Sequence, residues 1–413
     1  MASVPTLVSW NLTRRCNLAC GHCYLDAVSR KSECGDELAL ADAVRVIGEI
    51  ADLAPGAMVV LTGGEPLLRR DLDDIVSEAA GRGLMPVIGS NGILLTEDRA
   101  HRLRQAGAAG VGISLDGIRP EFHDRLRGHA GAWEGALAGM RNARAAGLPV
   151  LMQTTLFEEN RHQLSGFADL AADVGAMALN FFFLVCTGRG VTQTDLSPQA
   201  FDETLRDILA LQGARPNLMI RARCAPYARR MLGLHAGESR GTYVDGSSAC
   251  LAGRSYLRIG PKGEVTPCPY IPNAEGSVRW QPLRTIWETG ADFVRLCNEM
   301  PGGKCGGCDY RISCGGCRAR ALAMSGDLMA EDRKCSYFPS PSTRPEPLPA
   351  RGVASIAWTP EAQRMLERIP GFVRSKVKGS LECKAAATGE TSISIEFMRE
   401  HRPSSLPFGR PGG

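Results

Sequence analysis

Cys16-Asn17-Leu18-Ala19-Cys20-Gly21-His22-Cys23 sets three thiols within eight residues, spaced C-x3-C-x2-C, directly after the apolar run Leu7 to Leu12. Structural zinc takes four ligands, usually as two C-x2-C pairs, and no fourth ligand lies at that spacing here. Three thiolates instead suit three irons of a cubane cluster and leave the fourth iron open to a further ligand. A zinc knuckle, or three chance cysteines, is the simpler reading. It leaves the companion motifs downstream without a purpose.

Strand-like and helix-like runs alternate after this stretch. The strand-like runs are Val8–Leu12, Met58–Thr62, Pro86–Gly89, Gly110–Leu115, Val150–Leu156 and Leu179–Val185. Amphipathic runs lie between them, among them Leu38–Leu53, Asp71–Gly81, Asp98–Ala106 and Trp133–Ala146. Such alternation predicts parallel strands with crossover helices. Six units make an α/β fold of the partial (β/α)6, TIM-like barrel kind, whose chemistry sits at the C-terminal ends of the strands. The polar motifs fall at those ends. Gly63-Gly64-Glu65-Pro66 follows the second strand, Ser90-Asn91-Gly92 the third and Ser114-Leu115-Asp116-Gly117 the fourth. Gln153 and Thr154 sit on the fifth, and the sixth runs into Cys186-Thr187-Gly188-Arg189-Gly190. Paired glycines permit a close backbone approach, a neighbouring carboxylate can accept from an ammonium group, and an arginine can grip a carboxylate with two parallel bonds. An ordinary turn competes with the Gly-Gly-Glu-Pro and Asp116-Gly117 readings. An inward-facing barrel residue competes for Gln153, and a solvated loop residue for Arg189.

At 413 residues the chain has room for two or three domains. A hydrophobic share of 44% with 22% charged residues is ordinary for a globular protein, and a net charge of +4 is too small to argue for nucleic acid. No apolar run approaches the ~20 residues of a membrane span. Met1-Ala2-Ser3-Val4-Pro5 lacks the basic start of a signal peptide, so a cytoplasmic location is expected. Fifteen cysteines in a long reduced chain point to metal or catalysis rather than to disulfides.

The C-x3-C-x2-C stretch and its companions resemble the radical S-adenosylmethionine (SAM) superfamily across residues 1–225. The resemblance implies a 4Fe–4S cluster on Cys16, Cys20 and Cys23. SAM would chelate its open iron, and one electron would cleave a carbon–sulfur bond to release a 5′-deoxyadenosyl radical. It further implies that Gly63, Gly64, Glu65 and Pro66 hold the SAM amino group, and that Ser90, Asn91, Ser114 and Asp116 serve its carboxylate and ribose. Gln153 would reach the ribose, and Arg189 a carboxylate of SAM or substrate. The family usually has an aromatic residue where this chain has His22. No general acid or base is assigned.

A second pattern begins at Cys250 and continues through Cys268, Cys305-x2-Cys308-x5-Cys314-x2-Cys317 and Cys335, seven cysteines in 86 residues. Two C-x2-C pairs would also suit zinc. The arrangement resembles the SPASM extension of radical SAM enzymes, assigned to residues 226–338. That resemblance implies one complete auxiliary 4Fe–4S cluster on Cys305, Cys308, Cys314 and Cys335, and a second on Cys250, Cys268 and Cys317. The chain departs from the fullest pattern in its last C-x2-C spacing and in lacking one early cysteine. The second cluster could therefore have an open iron, take a non-cysteine ligand, or not form. Cys224 or Cys297 could fill the gap, although buried thiols acting as small hydrophobes are the simpler reading for them, as for Cys34, Cys186 and Cys383.

Five prolines between Pro339 and Pro349 mark an extended linker, placed at 339–353. Beyond it, Thr359 is positioned to cap a helix opened by Pro360, with Ala362, Met365, Leu366 and Ile369 as its apolar stripe. The small helical module at 354–401 resembles the C-terminal domain of the light-independent protochlorophyllide reductase B subunit; 402–413 reads as a disordered tail. Three functions follow. The first is a radical SAM enzyme modifying propionate side chains of a tetrapyrrole, as the resemblance to haem and haem d1 biosynthesis proteins implies, with Arg14, Arg15, Arg189, Arg254 and Arg258 as anchors and an electron donor such as flavodoxin or ferredoxin. The second is a SPASM-type peptide maturase. The third, a non-catalytic iron–sulfur scaffold, has no use for an open iron.

Overall fold

The computed structural model describes residues 4–27, 35–228, 230–231, 250–340 and 357–401, except for 370–373, 375–376, 379–380, 383–384 and 386–389; 342 and 345 are also described. Cys34, Cys383, most of the linker and the tail 402–413 lie outside the described residues. The described residues fall into two compact units, one up to 345 and one from 357 onward.

In the first unit, seven strands form one parallel sheet in chain order. They are Leu7–Asn11 (β1), Met58–Thr62 (β2), Met85–Ser90 (β3), Gly110–Ser114 (β4), Val150–Leu156 (β5), Ala178–Phe183 (β6) and Met219–Arg223 (β7). The crossovers include Leu40–Leu53 (α1), Leu72–Gly81 (α2), Glu97–Gln105 (α3), Pro120–Arg127 (α4), Ala132–Ala145 (α5), Leu164–Asp173 (α6) and Pro198–Ala214 (α7). On α1, Val46, Ile47, Ile50 and Leu53 are buried at helical spacing. Each such burial contributes about 1.5–3 kcal/mol. Along β5, Val150, Met152, Thr154 and Leu156 are buried while Leu151, Gln153 and Thr155 are only half-buried. The helices thus cover one face and the polar face looks into the barrel. The alternation reading stops at six strands. The seventh, Met-Ile-Arg-Ala-Arg, carries two arginines on its half-buried side and is not apolar enough to announce itself.

The cysteine-rich region adds to the other edge of the same sheet. Tyr256–Ile259 (β8) runs parallel to β1, and Glu264–Thr266 (β9) and Gly276–Ser277 (β10) follow antiparallel. Leu283–Thr289 (α8), Ala291–Asn298 (α9), Gly303–Gly306 (α10) and Arg318–Ser325 (α11) complete the unit. The second unit contains Ala357–Trp358 (β11), Pro360–Glu367 (α12), Ser392–Ile393 (β12) and Ile395–Glu400 (α13). Thr359 Oγ1 accepts from the Ala362 amide at 3.3 Å, and Pro360 opens the helix as its sequence requires. Ala362 and Leu366 are buried against Leu381, Ile393 and Phe397, with Met365 and Ile369 packed on the same cluster.

Candidate active site and iron–sulfur centres

The loop after β1 is held in place by its neighbours' backbones. Gly21 N donates to Leu126 O at 2.8 Å, Gly64 N to Thr13 O at 2.7 Å and Glu65 N to Arg15 O at 2.7 Å. The glycines at 63 and 64 are therefore required by the cysteine loop itself. A Cβ on Gly64 would lie 2.0 Å from Arg15 O, and Gly63 has φ +139° with Thr13 O 2.5 Å from its Cβ position. Gly64→Ala is expected to cost about 3 kcal/mol or more in strain and to strip iron from the N-terminal cluster, checked by thermal unfolding and iron analysis.

Each thiol in the loop has one hydrogen-bond donor aimed at its sulfur. Leu18 N lies 3.4 Å from Cys16 Sγ, Ala27 N 3.4 Å from Cys23 Sγ, and Arg127 Nη1 3.8 Å from Cys20 Sγ. Burial pushes the Cys16 thiol up to about 12, so the free thiol holds its proton and a metal must displace it to bind.

Glu65 is fully buried and faces into the protein between β2 and β3. Its carboxylate accepts from Ser90 Oγ at 2.8 Å, Asn91 N at 2.9 Å and Leu67 N at 3.1 Å. Burial raises it to about 7 against the pull of those bonds. Asn91 Nδ2 donates to Asn17 Oδ1 at 2.7 Å, tying the third strand's end to the residue beside Cys16. Pro66 is buried at the start of the short turn that follows. Ser114 and Gln153 are register partners on adjacent strands, both half-buried on the barrel's inner face. Thr154 points the other way and donates to Leu115 O at 2.7 Å.

Asp116 is buried and ion-paired to Arg127. It also accepts from Thr155 N at 2.8 Å, and its own amide donates to His123 Nδ1 at 3.0 Å. Burial would raise Asp116, but the Arg127 charge and the neighbouring histidines hold it below the usual carboxylate range. His22 lies with Nε2 3.9 Å from Asp116 and its ring edge-on to Phe157 at 5.6 Å. Burial and the Arg127 charge press its pKa down to about 4, so the ring is neutral packing beside the thiols. Arg189 does not reach into open space. Its Nε donates to Cys20 O at 2.9 Å, Nη1 to Asp26 at 2.7 Å and Nη2 to Ala27 O at 3.1 Å, clamping the cysteine loop from the far side.

The later cysteines gather at two places in the same unit. Cys305, Cys308, Cys314 and Cys335 line one small cavity with Tyr227, Lys304, Tyr310 and Tyr337. Asp332 N, Tyr310 N and Gly316 N lie 3.4, 3.3 and 3.5 Å from the sulfurs of Cys305, Cys308 and Cys314. A Cβ on Gly316 would sit 3.2 Å from Cys305 Sγ. Cys317 joins a buried cluster against which Cys224, Cys250 and Cys268 pack. Among the described residues no cysteine is in a disulfide, and no three His, Cys, Asp or Glu side chains are gathered as the ligands of a single metal ion would be.

Between the first loop, the end of β6 and β8–β10 lies a cavity of about 510 Å³. Arg14, Arg258 and Lys262 line it against one carboxylate, Glu264, with Tyr24 and Tyr270 in edge contact at 5.3 Å. Arg14 Nε is buried with no hydrogen-bond partner among the described residues. Arg258 donates to Asn11 Oδ1, and Asn11 Nδ2 to Tyr24 Oη at 2.9 Å.

Residues 10–171 match the radical SAM superfamily, 250–315 an iron-sulfur cluster-binding domain, and 358–402 the proto-chlorophyllide reductase 57 kD subunit. The chain is 36% identical to the AdoMet-dependent heme synthase of Methanosarcina barkeri, covering 82% of this chain and 98% of that protein. The chain belongs to the radical SAM superfamily. It is also 32% identical to the pre-heme d1 synthase of Dinoroseobacter shibae, over 80% of this chain and 85% of that one. With the PqqA peptide cyclase of Granulibacter bethesdensis it shares 30% identity, over 83% and 90%. Among solved structures, Streptococcus suis SuiB bound to precursor peptide SuiA superposes with a TM-score of 0.67 over 81% of this chain and 76% of that one. At 16% identity that likeness speaks for the fold.

The residues present fit the groups a radical SAM enzyme carries. The donors are all sulfur, buried at Cys16 and Cys305 and half-buried at the others, and approached by N–H groups, the environment that holds and tunes iron–sulfur clusters. Cys16, Cys20 and Cys23 would hold the cluster that binds SAM, and Cys305, Cys308, Cys314 and Cys335 an auxiliary one. Three features escaped the sequence reading. Arg127 is one of two arginines on a charged helix, and nothing local says that it turns inward to Asp116. Tyr24 and Tyr270 are far apart in the chain. Lys262 sits in an ordinary Pro-Lys-Gly turn. Of the anchors expected for an acidic substrate, Arg14 and Arg258 line the cavity, whereas Arg189 clamps the loop and Arg254 donates to Leu296 O at 3.0 Å.

Proposed function

We propose that this radical SAM enzyme acts on a tetrapyrrole, removing carboxylate carbon from its propionate side chains. The observation that carries this reading is the cavity beside the cysteine loop, lined by Arg14, Arg258 and Lys262 with two tyrosine rings on its wall, although Arg258 also pairs with Glu264 and Lys262 with Asp36. A flat macrocycle bearing several carboxylates needs that combination of aromatic surface and charge-assisted donors. The M. barkeri relative, matched over nearly its whole length, is named for haem synthesis, which supports the same substrate class.

When bound, the N-terminal cluster and SAM supply a one-electron cleavage that yields a hydrogen-abstracting carbon radical. Taking one hydrogen atom and CO₂ from a propionate carboxylate leaves a vinyl group and one electron, for which a cluster held by Cys305, Cys308, Cys314 and Cys335 would supply the one-electron acceptor. Arg14, Arg258 and Lys262 hold the remaining carboxylates, Tyr24 and Tyr270 orient the ring, and Arg189 keeps the cysteine loop closed against it. Flavodoxin or ferredoxin would deliver the initiating electron in the cytoplasm, a setting that suits a chain rich in reduced thiols. Among the described residues no helix is long and apolar enough to cross a membrane.

The test is anaerobic incubation of the reconstituted, reduced chain with SAM and iron–coproporphyrin or a sirohaem derivative, followed by mass spectrometry for loss of CO₂ or of a propionate. Turnover only on a peptide, and on no porphyrin, would replace this reading with the maturase one that the peptide cyclase relative represents. The double variant Arg258→Met, Lys262→Met is expected to weaken tetrapyrrole binding about 100-fold or more, since each of the two hydrogen bonds to a charged group is worth about 1.5–3 kcal/mol. An absorbance titration of the macrocycle reads it directly.

A further inference from the structure

β7 ends at Arg223, and at Cys224 the backbone takes φ +56°. Among the described non-glycine residues only Asp26 shares a positive φ. Aspartate enters this region far more readily than cysteine, so the surroundings must hold Cys224 there. They do. Arg320 Nη2 donates to Cys224 O at 2.9 Å, and Arg320 is itself buried and paired to Asp332 at 3.1 Å. The strained turn carries the Cys224 side chain onto the apolar cluster that contains Cys317 and packs Cys250 and Cys268.

Four sulfurs thus come from four separate segments: the end of β7, the approach to β8, the end of β9 and the start of α11. All four meet at one place, with Cys224, Cys250 and Cys268 packed on the cluster that contains Cys317, and Cys250 and Cys317 share a hydrogen bond. The amides of Ala252 and Arg318 point at Cys250 sulfur, and the Tyr270 amide at Cys268 sulfur. That is the N–H-to-sulfur pattern seen around the other two sets of thiols. Cys297, the other spare thiol, is exposed and turned to Gly253 O at 3.3 Å.

We propose that Cys224 is the fourth thiolate of a second auxiliary iron–sulfur cluster, with Cys250, Cys268 and Cys317. The position missing from the cysteine-rich region is then filled from the barrel, 26 positions before Cys250. A cluster with four thiolates has no open iron, so it passes electrons and does not bind substrate. The inference rests on the family and not on which substrate the enzyme takes.

The experiment is iron and sulfide analysis with Mössbauer and EPR spectroscopy on the anaerobically reconstituted full chain. Wild type should hold about twelve irons in three four-iron clusters. Cys224→Ala should lose between one and four of them, with a three-iron signal if the remaining thiolates retain a partial cluster. Cys268→Ala should affect the same spectral component. Cys224→Ser preserves size and should keep a cluster with a shifted reduction potential, which a merely packed thiol would not cause. Full iron and unchanged spectra in Cys224→Ala overturn the proposal, as does a Cys268→Ala chain that loses no iron. A Cys224→Ser potential identical to wild type also counts against it.

Discussion

Cys16→Ala is expected to abolish formation of 5′-deoxyadenosine from SAM. Changes outside the ligand shell of a metal site typically cost 10–100-fold, so losing one of three thiolates should exceed about 100-fold. Cys16 is buried, with the Leu18 amide on its sulfur and the Gly-Gly-Glu backbone folded against the residues just before it. Cys308→Ala makes the contrast, lowering iron by roughly one cluster, about four irons, while SAM still binds. Product analysis by liquid chromatography with parallel iron determination separates the two. A Cys16→Ala chain that forms deoxyadenosine at the wild-type rate would remove the basis for radical chemistry here.

Asp116→Ala is expected to be among the most destabilising single changes in the chain. It leaves the Arg127 guanidinium buried without its partner, and removing one member of such a pair costs about 3–5 kcal/mol. The melting temperature should fall on the order of 10 °C. Replacing both partners with apolar residues of similar size, Asp116→Leu with Arg127→Met, should recover most of that loss, because the pair's attraction roughly offsets the cost of burying it. The double variant still lacks the Arg127 N–H directed at Cys20 sulfur. Its N-terminal cluster should therefore show an altered reduction potential although the fold is restored. A single variant as stable as wild type would mean that the ion pair is not what holds this corner together.

The parts of the site that could be read from residues were those whose chemistry is local. Thr359 and Pro360 announced the start of a helix because capping involves only residues within one turn. The four cysteines at 305, 308, 314 and 335, which the family resemblance groups together, line one cavity, and three of them lie within ten residues of chain. The functions expected of Glu65, Asp116 and Arg189 were argued from residue type at strand ends. The structure places all three at those ends but with much of their hydrogen bonding already engaged by the protein: Glu65 by the neighbouring strand's loop, Asp116 by Arg127, and Arg189 by the cysteine loop. A residue type tells what a side chain can bind, not which partner reaches it first.

The alternating apolar runs, legible in one dimension, pointed to a parallel barrel, and the thiol pattern with its family resemblance pointed to iron–sulfur chemistry. Each of those depends on spacing within a segment of a few turns or strands. The cationic cavity, the inward turn of Arg127 and the meeting of Cys224 with three thiols from the far side of the chain were settled only by folding. They join residues from eleven to more than two hundred positions apart, and for the cavity β8 had to add itself to the edge of β1. Period and spacing carry no term for contacts at that range, where packing of whole elements decides which side chains meet.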